Sequence, residues 1–211
     1  MLKELYTDLY HHYGNLNYWP TDTADEKVIG CILTQNTAWS NVEKSIANLK
    51  SHNINTINDI MKINIDELKE LIKSSGFYNQ KSAYLKNISS AIINNYGSLD
   101  KMKKLDIEST EKFMLNIKGV GQETMEAIML YALDYPVFTV DNYTFRFFKR
   151  YYNIEFSRAE IHKMAEFEFS SVEQLKNFHG MITLLSKEIC KKTPKCSICF
   201  LRNKCIFGTK I

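Results

Sequence analysis

Four of the five cysteines crowd into the last 22 residues as Cys190, Cys196, Cys199 and Cys205, a C-x5-C-x2-C-x5-C array. Thiolates are soft ligands, and four of them in one short loop can wrap a single compact centre. Zinc ribbons usually pair two close C-x2-C knuckles across a longer insert. One C-x2-C flanked by two outlying cysteines suits a [4Fe–4S] cubane better, with structural zinc or unligated thiols as the other readings. In a reducing compartment, clustered thiols argue for metal rather than disulfides. Cys31 stands alone in an apolar stretch. Lys191, Lys192 and Lys195 fall in the first intercysteine loop. A centre that fixes this loop makes a basic finger for phosphates; the plainer reading is a solvated loop.

A second constellation lies upstream. Leu115-Asn116-Ile117-Lys118-Gly119-Val120-Gly121-Gln122-Glu123-Thr124 precedes a helical run to about Leu133. Two glycines one residue apart allow a sharp turn between helices and leave amides exposed at a helix N-terminus, where a phosphate binds without its sequence being read. Then Pro136-Val137-Phe138-Thr139-Val140 ends in Asp141, and Asn142-Tyr143-Thr144-Phe145-Arg146 continues as a helix. Asp141 is therefore placed as an N-cap. A carboxylate at such an edge can also face a pocket, activating water or stabilising an oxocarbenium ion at a sugar C1′.

The elements that position these groups read as helices. Apolar residues recur at helical spacing in Val28-Ile29-Ile32-Leu33, Val42-Ile46-Leu49, Tyr84-Leu85-Ile88-Ile92 and Met125-Ile128-Met129. Strand-like alternation is scarce, and about ten helices are expected. The chain has 211 residues, 45% of them hydrophobic, which is enough for a core in one large or two small domains. A net charge of +3 is too small to prove a polyanionic partner, so a DNA-binding surface must come from local clustering. Arg146, Lys149 and Arg150 supply one such cluster on a single helix, against the reading of a solvated face. Neither a membrane span nor a signal-peptide stretch is present in the sequence, so the cytoplasm is expected. The five histidines show no ligand spacing, and core packing is the expectation for Tyr78, Tyr143 and Phe145.

The hairpin glycines, then Val140-Asp141 and Arg146 some twenty residues on, then the four cysteines, resemble endonuclease III and its relatives among the helix-hairpin-helix DNA glycosylases. The resemblance implies an all-α, two-lobed fold with a C-terminal iron–sulfur cluster loop. A six-helix barrel with the hairpin would span 22–133, and a helical cluster domain would join 1–21 to 134–211. Duplex DNA containing a damaged base would lie bent across the cleft, with one nucleotide flipped into a pocket. By that match Asp141 is catalytic, and Lys118, Gly119, Val120 and Gly121 hold a phosphate. The lysine loop binds DNA, and the four cysteines hold the [4Fe–4S] cluster. Gln35, within Leu33-Thr34-Gln35-Asn36-Thr37, matches the glutamine that fills the gap left by the flipped base; otherwise it is a polar residue at a helix end. A monomer associated with the nucleoid is implied.

Two departures refine this. Bifunctional members carry a lysine two residues after the second hairpin glycine, which forms a Schiff base with the sugar. Here that position is Glu123, which cannot form an imine, so a monofunctional glycosylase without lyase activity is expected. The first cysteine spacing is also one residue shorter than the commoner one. Glu123, together with Tyr18-Trp19-Pro20, Leu33–Trp39 and Ser75–Lys81, resembles the 3-methyladenine branch, in which aromatics stack on the flipped base. That maps to Trp19 and Trp39, with core anchoring as the alternative. A cationic alkylated purine suits a π-rich slot by stacking and cation–π attraction, worth about 1–3 kcal/mol. That branch lacks the cluster cysteines, however. An enzyme for oxidised pyrimidines or mismatched thymine or uracil remains open, as does a non-catalytic iron–sulfur DNA-binding module.

Overall fold

The computed structural model describes residues 2–19, 21 and 23–210. Pro20 of the Tyr18–Pro20 motif and Asp22, where the expected barrel begins, lie outside the described residues. Among the described residues there is no strand, and the helices are α1 (Leu2–Tyr13), α2 (Ala24–Leu33), α3 (Trp39–Ser51), α4 (Ile57–Lys62), α5 (Ile65–Leu71), α6 (Tyr78–Tyr96), α7 (Leu99–Met102), α8 (Ile107–Leu115), α9 (Gln122–Tyr131), α10 (Asn142–Tyr152), α11 (Arg158–Glu168) and α12 (Val172–Glu188). The all-α expectation holds. The helices beyond the expected ten include α4 and α7, which are six and four residues long and too short for periodicity to reveal.

The chain folds into two compact units, Trp19–Tyr135 and Met1–Tyr18 with Pro136–Ile211. In the first, α2 starts where the Thr23 hydroxyl accepts from Glu26 N at 3.2 Å, with Asp25 and Glu26 favouring the positive end of the helix dipole. Its residues Val28, Ile29, Ile32 and Leu33 are at most 2% exposed, so α2 is a central helix rather than a surface one. Met125, Ile128, Met129 and Leu130 of α9 are equally buried. Truncating one such side chain to alanine costs about 2–5 kcal/mol. The long helix α6 buries Leu85, Ile88 and Ile92 and stops at Gly97, which takes the left-handed conformation and donates to Ile93 O at 2.8 Å. Lys86 of α6 donates to the Met61 and Ile63 carbonyls at the end of α4.

In the other unit, α1 buries Leu2, Leu5 and Leu9, an i, i+3, i+7 stripe that faces α11 and α12. An aromatic core gathers on Phe178 of α12, which meets Phe138, Phe148 and Phe169 with ring centroids 5.5, 6.5 and 4.9 Å away. The Asn177 amide oxygen accepts from Leu16 N at 2.8 Å, fixing the segment after α1 on α12. Gly180 permits the next close approach, because a Cβ there would lie 2.6 Å from Tyr18 Cβ. Lys204 reaches back to Glu4 and Asp8 at 2.9 and 2.7 Å, tying the C-terminal loop to α1.

Candidate active site and nucleic-acid-binding loops

Asp141 caps α10. Its Oδ1 accepts from Thr144 N at 2.7 Å and from the Thr144 hydroxyl at 2.9 Å. Its Oδ2 lies 3.6 Å from His179 Nε2 of α12. The residue is 8% exposed. Burial pushes the carboxyl up, but His179, by hydrogen bonding and charge, and the Thr144 donors outweigh it and leave the pKa below the ordinary carboxylate range. Asp141 is thus an ionised, oriented carboxylate with one oxygen committed to the helix and the other beside an imidazole. Both the N-cap reading and the water-activating reading are compatible with that geometry, since they use different oxygens.

Three neighbours of Asp141 gain their place through packing, and of these only Tyr18 falls in a stretch that the sequence marks. His179 is reached only through the packing of α12. Lys187, on the same helix, is pushed down by burial and pulled up by the Asp141 charge. The Tyr18 hydroxyl is pushed up by burial, with the nearby Thr183 hydroxyl opposing and Asp141 adding to the rise. Tyr143 is half-buried, with Arg146 and Lys187 lying 5.1 and 5.8 Å from its ring.

The hairpin closes between α8 and α9. Gly119 sits at φ +104, and a Cβ there would lie 2.2 Å from Tyr84 Cγ, so only glycine fits. Gly121 is different: its φ is −91, and open space lies around it. It serves as the N-cap of α9 with no side chain to cover the first-turn amides, which leaves them to an external anion. Val120 is 6% exposed, and its N–H donates to Ile117 O at 3.0 Å, so that amide is committed to the turn. Lys118 is exposed, and its carbonyl accepts from Asn87 of α6 at 3.0 Å. Glu123 is exposed in the first turn of α9.

Gln35 is half-buried. Its Nε2 donates to Gly119 O at 3.0 Å and to the Thr124 hydroxyl at 3.1 Å, bracing the hairpin. Trp19 and Trp39 come together edge to face at 5.3 Å, and Tyr131 tilts against Trp19 at 4.9 Å. Rings in that contact leave no gap for a third ring between them, so a base can only lie on an outer face of the cluster. Trp39 Nε1 donates to Glu43 at 2.9 Å. Phe77, absent from the sequence-derived candidates, is 64% exposed and held at φ +47. An exposed aromatic in a sparsely populated conformation often marks function.

The four thiols line one recess with Phe147, Leu185 and Ile189. Arg150 Nη1 donates to Cys190 Sγ at 3.3 Å, and Gly208 N donates to Cys205 Sγ at 3.4 Å. Burial first, then the neighbouring cysteines, push Cys199 and Cys205 up. Among the described residues no three His, Cys, Asp or Glu side chains lie close enough together to hold a metal ion. Four thiols lining one recess, with N–H donors to two of the sulfurs, make a soft donor set of the chemical kind that iron–sulfur clusters take. Lys191, Lys192 and Lys195 are exposed on the loop.

The basic patch on α10 is corrected by the structure. Arg146 donates to the Cys190 and Ser186 carbonyls at 3.0 and 3.2 Å. Arg150 holds the Lys191 and Lys192 carbonyls at 2.6 and 2.9 Å. Lys149 pairs with Glu155. The two arginines hold the cysteine loop in place; they are not a free phosphate surface.

The helical fold, with its glycine hairpin and its capped, buried aspartate, falls within a known superfamily. The family model described as "HhH-GPD superfamily base excision DNA repair protein" matches residues 29–174, and the chain belongs to that superfamily as a DNA glycosylase. A Methanocaldococcus jannaschii protein named as a DNA repair glycosylase is 39% identical over 211 residues, covering 98% of this chain and 96% of its own length. Endonuclease III of Thermotoga maritima is 26% identical over 208 residues, covering 98% and 93%. The crystal structure of the H. pylori 3-methyladenine DNA glycosylase bound to 1,N6-ethenoadenine superposes with a TM-score of 0.74 at 31% identity, covering 89% of this chain and 94% of that one. No helix among the described residues is long and apolar enough to cross a membrane.

Proposed function

We propose that this chain is a monofunctional glycosylase that hydrolyses the N-glycosidic bond of a flipped, alkylated purine such as 3-methyladenine in duplex DNA. It acts as a monomer, in the cytoplasm at the nucleoid. The observation that carries this reading is the buried Asp141 carboxylate, held below the ordinary carboxylate range, with Oδ1 fixed by Thr144 and Oδ2 beside His179. N3-alkylated adenine is a cation whose bond to C1′ is already weakened. It departs with the bonding pair as a neutral base and needs no proton from the enzyme. Asp141 stabilises the positive charge that develops at C1′ and takes the proton of the water that adds there, a general-base contribution of about 10²–10⁴-fold. The Trp19–Trp39–Tyr131 cluster offers a π face to the cationic base. The amides of Gly119, Gly121 and the first turn of α9 take a backbone phosphate. Gln35 and Phe77 contact the disturbed stack, and the lysine loop adds phosphate contacts. Glu123 leaves the position two residues after the second hairpin glycine without an amine to capture the sugar.

Cys190, Cys196, Cys199 and Cys205 would hold a [4Fe–4S] cluster, whose iron–thiolate bonds pin the ends of the lysine loop. Arg150 and Gly208 donate to the Cys190 and Cys205 sulfurs, and Arg146 donates to the Cys190 carbonyl.

A second reading, an endonuclease III-like enzyme for oxidised pyrimidines or mismatched thymine or uracil, is favoured by the cysteine array together with the likeness to endonuclease III. A panel of duplexes carrying 3-methyladenine, uracil, thymine glycol or a G·T mismatch separates the two. Release of 3-methyladenine alone, with no borohydride-trapped adduct, is expected. Release of thymine glycol instead would replace the first reading with the second.

A further inference from the structure

We propose that Lys81 is a positioning residue that locks the Gln35 loop and the Phe77 turn into one DNA-contacting unit. The proposal rests on the glycosylase reading above. Lys81 lies in the first turns of α6 and is 2% exposed. Its ammonium donates to Leu33 O at 2.8 Å and to Ser75 O at 2.6 Å. Leu33 ends α2 two residues before Gln35, and Ser75 stands two residues before Phe77. A carbonyl at a helix end lacks an intrahelical partner, and the negative end of the helix dipole favours a cation there. One buried side chain therefore closes the end of α2 and grips the turn that carries Phe77.

The turn requires that grip. Phe77 is a non-glycine residue at positive φ with its ring in solvent, a conformation that persists only when the surroundings over-determine it. Lys81 supplies two of the constraints, its Nζ on Ser75 O and its own N–H on Phe77 O at 2.9 Å. Burial pushes the amine down to about 8, yet both protonation states keep at least two N–H donors, so both carbonyl bonds survive deprotonation. Further along α6 the pattern continues at i+3 and i+6. Tyr84 underlies Gly119, and Asn87 donates to Lys118 O. Gln35 then joins its own loop to the hairpin through Gly119 O. A helix that served only to fill the core would not need this row of polar ties to three separate loops.

The test uses the full chain and a duplex carrying a tetrahydrofuran abasic analogue with 2-aminopurine in the opposite strand. Lys81→Met removes both donated bonds at similar volume. With an unchanged circular dichroism spectrum, it is expected to weaken abasic-duplex binding about tenfold, to weaken undamaged-duplex binding less than about threefold, and to halve the 2-aminopurine fluorescence rise. Lys81→Arg, which keeps donors, is expected to restore part of the loss. Phe77→Ala is expected to cost about tenfold in the wild type and under twofold in the Lys81→Met background. A folded Lys81→Met protein with wild-type lesion preference, or additive effects with Phe77→Ala, overturns the proposal while leaving the Asp141 chemistry intact. If Lys81→Met does not fold, hydrogen exchange of the wild type decides. Segments 33–37 and 75–77 are expected to open with one common constant and to gain protection together on abasic duplex; independent opening overturns the proposal. A wild type that shows no preference for the abasic duplex defeats this proposal and the glycosylase reading together.

Discussion

Thr144 binds Asp141 twice through a single oxygen, its N–H at 2.7 Å and its hydroxyl at 2.9 Å from Oδ1. The capping role and the chemical role of the carboxylate are thereby divided between its two oxygens. Thr144→Val keeps the N–H and the shape but removes the hydroxyl. A stability loss of about 1 kcal/mol is expected, together with a several-fold drop in base release as the carboxylate gains freedom to rotate. Thermal denaturation and single-turnover release measure the two effects separately.

His179 sets the pH dependence. Burial raises the Asp141 carboxyl, and His179 is the foremost group that lowers it again. Because the folded carboxyl lies below its ordinary range, it contributes stability that is present above that range and is lost as pH falls through the folded value. His179→Asn removes the counterweight and leaves burial, with Lys187 and Thr144 as the remaining opposition. The acid limb of the base-release profile is expected to move to higher pH, and stability near neutrality to fall. A profile superimposable on the wild type would show that His179 has no such role.

The two hairpin glycines are expected to differ sharply. Gly119→Ala forces a Cβ into the Tyr84 ring at a positive φ, so a loss of at least about 1–3 kcal/mol is expected along with weaker abasic-duplex binding. Gly121→Ala meets open space at φ −91 and should leave the melting temperature nearly unchanged. Calorimetry on the pair checks this, and equal destabilisation would contradict it.

Much of this arrangement is legible in the sequence. Helical periodicity, the hairpin glycines and the cysteine spacing are local patterns, and local patterns report local structure. The roles of Arg146 and Arg150 are not legible, because the carbonyls they hold lie some forty residues downstream and nothing in a basic helix face tells a committed guanidinium from a free one. Lys81, Tyr84 and His179 are hidden for the same reason: their partners are brought to them only by tertiary packing. Gln35 is legible as a polar residue at a helix end, whereas its bond to Gly119 O is not. Phe77 reads as one more aromatic until its exposure and left-handed backbone are seen.

Arg150 links the cysteine recess to the lysine loop through Cys190 Sγ, Lys191 O and Lys192 O. Arg150→Ala is expected to loosen the loop and to reduce the visible iron–thiolate absorbance retained per chain. It should also flatten the salt dependence of DNA binding, since each phosphate that is no longer neutralised lowers the log–log slope by about 0.9. Alanine at Lys191, Lys192 and Lys195 should flatten the slope without touching the absorbance. Purification with stoichiometric zinc in place of iron would contradict the cluster assignment.

Glu123 offers a test of the missing amine. The wild type is expected to yield no covalent adduct with borohydride and abasic-site DNA, whereas Glu123→Lys places an amine in the first turn of α9 and should give one. Adduct formation by the wild type would overturn the monofunctional assignment.

The central claim is that Asp141 carries the chemistry and little of the binding. Single-turnover release of free base from a duplex containing one 3-methyladenine, compared between the wild type and Asp141→Asn, tests it most directly. The wild type is expected to leave an intact abasic strand, and Asp141→Asn to slow release by at least about 10²-fold while its affinity for abasic duplex stays within about threefold. Release at an undiminished rate by Asp141→Asn would contradict the account.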